Sequence, residues 1–194
     1  MSERIANINR KTTETSVQVE LNIDGSGQFN ITTGTKMADH LLSQLARHGL
    51  FDITISASGD DQHHIIEDVA ICLGRAFNEA LGEKRGITRM GHAVIPMDEA
   101  LAEVAVDIGG RAYSVIEVSF IRTTIGELYT DLVRHFFVSL ASEAKINLHA
   151  KVLTGINDHH KAEALFKALG RALDSATRFD KRITGTIPST KNTI

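Results

Sequence analysis

The chain repeats itself. Gly59-Asp60-Asp61-Gln62-His63-His64-Ile65-Ile66-Glu67 returns as Gly155-Ile156-Asn157-Asp158-His159-His160-Lys161-Ala162-Glu163. Both segments run on into Leu-Gly-Arg-Ala, at 73–76 and 169–172. From Gly59 to Ala80 and from Gly155 to Ala176, nine of 22 positions are identical at a constant offset of 96. Unrelated segments of average composition would share about one or two. Upstream, Asp39-His40-Leu41-Leu42 faces Arg134-His135-Phe136-Phe137 at an offset of 95. Whatever one half folds into, the other must fold into again, so every element is read twice.

The hydrophobic pattern follows that rhythm. Val17, Val19, Leu21 and Ile23 alternate with polar residues as a strand does, and Asp24-Gly25-Ser26-Gly27 reads as a hairpin turn. A helix over Met37 to Arg47, stopped near Gly49, precedes a strand through Ile53, Ile55 and Ala57. A longer helix, His64 to Leu81, ends at Gly82. The second half predicts strands at Glu103–Ile108, Ser114–Phe120 and Ile146–Val152, with helices at Glu127–Ala144 and His160–Thr177. Each half is then β-β-α-β-α, an α+β unit whose mixed sheet has helices on one face. The halves divide at 1–92 and 93–194. With two prolines and no Gly/Ser-rich linker, they are expected to form one compact, pseudo-twofold domain.

Net charge is −3, so no basic field points to nucleic acid or an anionic membrane surface. No apolar run approaches the roughly 18 residues of a spanning helix, and the opening residues lack the apolar stretch of a secretory leader. The single cysteine, Cys72, permits neither an internal disulfide nor a thiolate cluster. A cytoplasmic protein is expected. Nine histidines against one cysteine point any metal chemistry toward imidazole and carboxylate ligands.

His-His-x-x-Glu at a helix start is the informative motif. Adjacent helical residues diverge by roughly 100°, so two neighbouring histidines serve different ions more readily than one. Glu67 lies four residues from His63 and three from His64, and either can share its face. The preferred assignment groups His40, His64, Glu67 and His159 at one ion and His135, His160, Glu163 and His63 at the other. Three nitrogens and a carboxylate oxygen suit a six-coordinate divalent ion with positions left for water or substrate. The grouping can arise within a chain or between subunits. His48, His92 and His149 are read as surface, outer or packed histidines.

Taken together, the repeat, Asp39-His40-Leu41-Leu42, both His-His-x-x-Glu copies and Pro96-Met97-Asp98-Glu99-Ala100-Leu101 make the chain resemble the imidazoleglycerol-phosphate dehydratase family. The likeness runs from Arg10-Lys11-Thr12-Thr13-Glu14-Thr15, through Gly86-Ile87-Thr88-Arg89 and Gly110-Arg111, to Pro188-Ser189-Thr190-Lys191. It implies two Mn2+ ions per subunit, held where chains meet in a cage-like homo-oligomer, a 24-mer. It places metal ligands on His40, His63, His64, Glu67, His135, His159, His160 and Glu163. Substrate and phosphate contacts fall on Glu14, Arg89, Arg111, Lys167, Ser189 and Lys191. The sequence departs from the family pattern at Met37 and Ala38, Gln62, Gly109 and Asn192, none of them a ligand or a cation.

The implied reaction removes water from imidazole glycerol phosphate to give imidazole acetol phosphate, a step of histidine biosynthesis. Hydroxide leaves poorly and the neighbouring C–H is not acidic, so the ring must first be made easier to deprotonate. Glu14, or a water near Glu67 or Glu163, is the expected proton carrier. Arg89, Arg111 and Lys191, with the Ser189 hydroxyl, would clamp the phosphate. The competing classes are a non-catalytic metal-binding assembly and a metal-dependent hydrolase. The metal-binding assembly does not account for Arg89, Arg111 and the Ser-Thr-Lys tail; the hydrolase is separated by assay of imidazole acetol phosphate formation with and without chelator.

Overall fold

A computed structural model of the chain describes residues 3–194. The first half runs β1 (Ile5–Lys11), β2 (Thr15–Asn22), β3 (Phe29–Thr32), α1 (Lys36–Gly49), β4 (Asp52–Gly59) and α2 (Gln62–Leu81). The second runs β5 (Met90–Met97), β6 (Ala100–Asp107), β7 (Tyr113–Glu117), a small hairpin β8 (Thr124–Ile125) and β9 (Leu128–Tyr129), α3 (Thr130–Ala144), β10 (Asn147–Thr154) and α4 (Asp158–Thr177). The sheets have orders β1-β2-β4-β3 and β5-β6-β10-β7. In each, the last strand is parallel to its neighbour and the other pairings are antiparallel. The α+β class and the duplicated mixed sheets are as the sequence led us to expect.

Three details differ. Each half opens with a strand that the alternation did not reveal, β1 and β5. Both are edge strands whose inward residues are largely only half-buried, so their apolar period is weak, and an edge is where Pro96 is tolerated. The turn at 24–27 does not close a β2–β3 hairpin. Asp52 at the start of β4 accepts the amides of Ser26 and Gln28, both at 2.8 Å, and the chain crosses to lay β3 parallel outside β4. The helix expected from Glu127 starts at Thr130, because residues 124–129 form the β8–β9 hairpin instead. That hairpin belongs to a longer connection in the second half: β2 and β6 start 85 positions apart, at Thr15 and Ala100, whereas α2 and α4 start 96 apart, at Gln62 and Asp158.

The inward faces of β2 (Val17, Val19, Leu21) and β6 (Ala102, Val104, Val106) lie in one continuous apolar cluster with all four long helices. The helices cross-pair: α1 packs on α4 and α2 on α3, so each helix pair joins the two halves. The repeated Leu-Gly-Arg-Ala explains the closeness. A Cβ on Gly74 would lie 2.7 Å from the Leu140 carbonyl oxygen, and one on Gly170 would lie 2.6 Å from that of Leu45. Gly49 serves the same contact. It stays helical, 3.0 Å from the Gly170 oxygen had it a Cβ, and Leu50 takes the left-handed cap at φ 58° instead. After α4 the chain turns back: Phe179 bridges Ile87, and Gly86 donates to the Thr186 oxygen at 2.8 Å.

Candidate metal centre and tail groove

The two His-His-x-x-Glu motifs open α2 and α4. At each start an N-cap side chain takes the amide of the first histidine, Asp61 from His63 at 2.6 Å and Asn157 from His159 at 2.9 Å. The caps are repeat counterparts and set the direction of both histidine pairs.

Two clusters result. His40 Nε2 on α1 and His159 Nε2 on α4 lie 2.9 and 3.1 Å from Glu163 Oε2. His135 on α3 joins His63 and Glu67 on α2, its Nε2 3.2 Å from Glu67 Oε1. In each group the ligand atoms lie within 4.8 Å of one another, as an ion would require. Within a single copy, Glu163 sides with His40 and His159, and Glu67 with His63 and His135; the expected four-residue groupings, open to residues from neighbouring subunits, are not assembled inside one copy. The i,i+4 spacing aligns the first histidine of each pair with the glutamate, and the cross-pairing of helices supplies the third member. His64 and His160 diverge from both groups. His64 Nδ1 meets Asp60 at 2.9 Å, and His160 Nδ1 meets Glu99 at 2.7 Å.

The clusters are not equivalent. Glu163 is buried, with 8% of its side chain exposed against 38% for Glu67. Lys167 Nζ stands 2.6 Å from Glu163 Oε1. Burial works against charge on Glu163, but Lys167 and His40 outweigh it and hold the carboxyl at about 2. His160 and the amides of Asn157 and Ile156 hold Glu99 at about 2 as well. Asp60 pushes His64 above its ordinary value, and Glu99 does the same for His160. In the other cluster, His135 Nε2 is buried without a hydrogen-bond partner, its approach to Glu67 being off hydrogen-bonding geometry. A buried ring nitrogen left unpaired costs about 1–3 kcal/mol, which a ligand at that nitrogen would recover. The donor set, imidazole nitrogens with one carboxylate, fits a divalent ion. His48, His92 and His149 belong to neither group.

Arg89, Arg111, Ser189 and Lys191 line a different site, an open groove of ≈ 770 Å³ between the 109–111 loop and the C-terminal tail. Arg89 has a left-handed backbone, φ 75°, fixed by its amide bonding Ala176 and its carbonyl accepting from Ile108. Its fork is engaged: Asp107 takes Nε and Nη2 at 2.7 and 3.1 Å, and Pro188 takes Nη1 at 2.8 Å. Arg111 and Lys191 are the groove's exposed cations. Glu14 is not there; it sits exposed in the β1–β2 turn, and Lys167 lies beside Glu163. Sequence reasoning left Asp60 and Glu99 without a role. The signal available was that each stands within four residues of a motif histidine or at a hairpin turn.

Residues 33–173 match the family model for imidazoleglycerol-phosphate dehydratase. That span covers most of the chain and all eight clustered or flanking histidines and glutamates. The chain belongs to that family. An imidazoleglycerol-phosphate dehydratase from Dehalococcoides mccartyi (strain CBDB1) is 59% identical over 191 residues, covering 98% of this chain and 97% of that protein. The imidazoleglycerol-phosphate dehydratase structure from Staphylococcus aureus superposes with a TM-score of 0.84 at 34% identity, over 91% of this chain and 99% of that one. The Pyrococcus furiosus structure gives 0.84 at 35%, over 96% and 100%.

Proposed function

We propose that this dehydratase converts D-erythro-imidazole-glycerol phosphate to imidazole acetol phosphate in histidine biosynthesis, with two manganese ions per subunit at sites completed by neighbouring copies. One observation carries the metal reading: the repeat sets two imidazole–carboxylate clusters, one of them with a buried ring nitrogen that has no partner. His40, His159 and Glu163 would hold one ion and His63, Glu67 and His135 the other. His64 and His160, facing away, would be ligands to ions of adjacent copies. Bound divalent ions would supply Lewis-acid stabilisation of the ring as it loses a proton. Ligand type alone favours zinc or copper, so manganese rests on the family likeness.

The chain's own groups supply the rest. Glu14, whose carboxylate is exposed in the β1–β2 turn, would move a proton on the glycerol chain. Arg111, Lys191 and the Ser189 hydroxyl would grip the phosphate, with Arg89 holding the tail in place through Pro188. Lys167 keeps the Glu163 carboxylate charged and aimed at His40. The eight residues of β5 separate Arg89 from the turn bearing Glu99, roughly 25 Å of strand. A substrate the size of a sugar phosphate does not span that, which supports a site shared between copies in a large assembly such as a 24-mer.

The experiment is formation of imidazole acetol phosphate by the manganese-loaded protein, with and without chelator. Product formation that stops on chelation and returns with metal is expected. Two bound ions per chain without product would favour a metal-binding assembly, and release of phosphate instead would favour a hydrolase. Undiminished turnover after metal removal would overturn the metal reading.

A further inference from the structure

The repeat allows the two outward histidines to be compared position by position. Glu14 and Glu99 are counterparts, each the residue before the second strand of its half, Thr15 for β2 and Ala100 for β6. Asp60 and Ile156 are counterparts too, each the residue before its helix N-cap, Asp61 and Asn157. The histidines they neighbour, His64 and His160, are also counterparts, and each presents Nδ1 to a carboxylate. Yet the carboxylates come from different positions.

In the second half the hairpin residue does the work. Glu99 Oε2 meets His160 Nδ1 at 2.7 Å, and its Oε1 accepts the amides of Ile156 and Asn157 at 3.0 and 2.7 Å. Ile156 itself offers no acceptor on its side chain. In the first half the loop residue does it. Asp60 Oδ1 meets His64 Nδ1 at 2.9 Å, and the hairpin touches the loop only through backbone, Glu14 oxygen accepting the Asp60 amide at 3.2 Å. The Glu14 side chain has no hydrogen bond or ion pair among the described residues.

A neutral imidazole carries one ring proton, and a carboxylate can only accept it. A carboxylate at Nδ1 therefore holds the proton there and leaves Nε2 as a bare donor atom. We propose that Glu99 and Asp60 are positioning residues that fix His160 and His64 in the Nδ1–H form, the shorter Glu99 contact prevailing over Asp98 Oδ2, which stands 3.6 Å from His160 Nε2, and that the exchange of positions between the halves is what leaves Glu14 uncommitted. This rests on the proposed function only where an ion is involved; the tautomers exist in the metal-free protein.

The test is nitrogen-15 NMR of metal-free, histidine-labelled protein at a pH well above the imidazole range, followed by manganese titration. His64 and His160 should both read as Nδ1–H in the unmodified chain; either one reading as Nε2–H overturns the proposal without any variant. In Glu99→Gln the amide oxygen can still hold the loop amides, but its nitrogen donates to Nδ1, so His160 should move to Nε2–H. Asp60→Asn should move His64 alone. Each should weaken manganese binding about 10–100-fold, whereas Glu14→Gln should leave both tautomers and the affinity unchanged while lowering turnover. Unmoved tautomers in both amide variants, or a His64 tautomer that follows Glu14→Gln, would sink the idea. Moved tautomers with unchanged manganese affinity would instead count against these histidines as ligands.

Discussion

Glu67 and Glu163 occupy the same place in their halves but not the same surroundings, and that difference is testable. Glu163 is held by Lys167, His40 and His159, whereas Glu67 has His63 and His135 near it and is far more exposed. Glu67→Gln and Glu163→Gln should each lower bound metal from about two ions per chain toward one, read by elemental analysis of the purified protein. Only Glu163→Gln should also destabilise the metal-free fold, by about 1–3 kcal/mol in a denaturant titration, because it weakens a buried charged pair. Cys72 gives a simpler check. Its thiol is fully buried and burial pushes it up to about 11, so iodoacetamide at neutral pH should label it only after unfolding. The histidines and glutamates of the centre were legible because paired histidines followed by a glutamate are uncommon, and two such groups in register rarely arise by chance. Which glutamate faces which histidine was not. Spacings of three and four both place residues on one face, and helix packing made the choice.

Gly74→Ala and Gly170→Ala would each gain up to about 1 kcal/mol in helix propensity. Each would also push a Cβ against a facing carbonyl at 2.7 or 2.6 Å, an overpacking that costs about 1–3 kcal/mol. Net destabilisation, similar for both by the pseudo-symmetry, is the expected result of thermal or urea unfolding. Asp158 supplies a pH dependence. Burial opposes its charge, but Lys161 and the amides of Arg122 and Ile121 outweigh that and lower its pKa. Its contribution is therefore complete above the ordinary carboxyl range near about pH 4 and disappears as pH falls through the lowered value. Asp158→Asn should cost about 3–5 kcal/mol near neutrality, since it strands the buried Lys161 charge, and the gap to the parent should narrow in acid. The long helices and inner strands could be read from their periods. The edge strands β1 and β5 could not, because only part of each is buried, and the crossover to β3 is set by Asp52, far along the chain.

At the scale of the molecule, the histidine clusters and the tail groove lie at separate places on one chain, and the proposed reaction needs both. Chains carrying Glu14→Gln should be inactive, and so should chains carrying Arg111→Ala. Mixed and refolded together, they should recover part of the activity, because some sites would draw an intact residue from each kind of chain; an assay of imidazole acetol phosphate against mixing ratio measures it. No recovery at any ratio would place the whole site within a single copy. The duplication and the family were readable over nearly the full length, but the separation of Arg89 from Glu99 depends on β5 being one extended strand, which the weak alternation there did not reveal. The cross-paired helices make each half depend on the other. A lone half would leave the flanks of both its helices bare, and its histidine on α1 would have no glutamate to meet. Two identical halves turned toward each other would cover those flanks and complete two such groups at once. On that geometry, what this chain achieves by joining its halves is what a pair of separate halves would achieve by meeting.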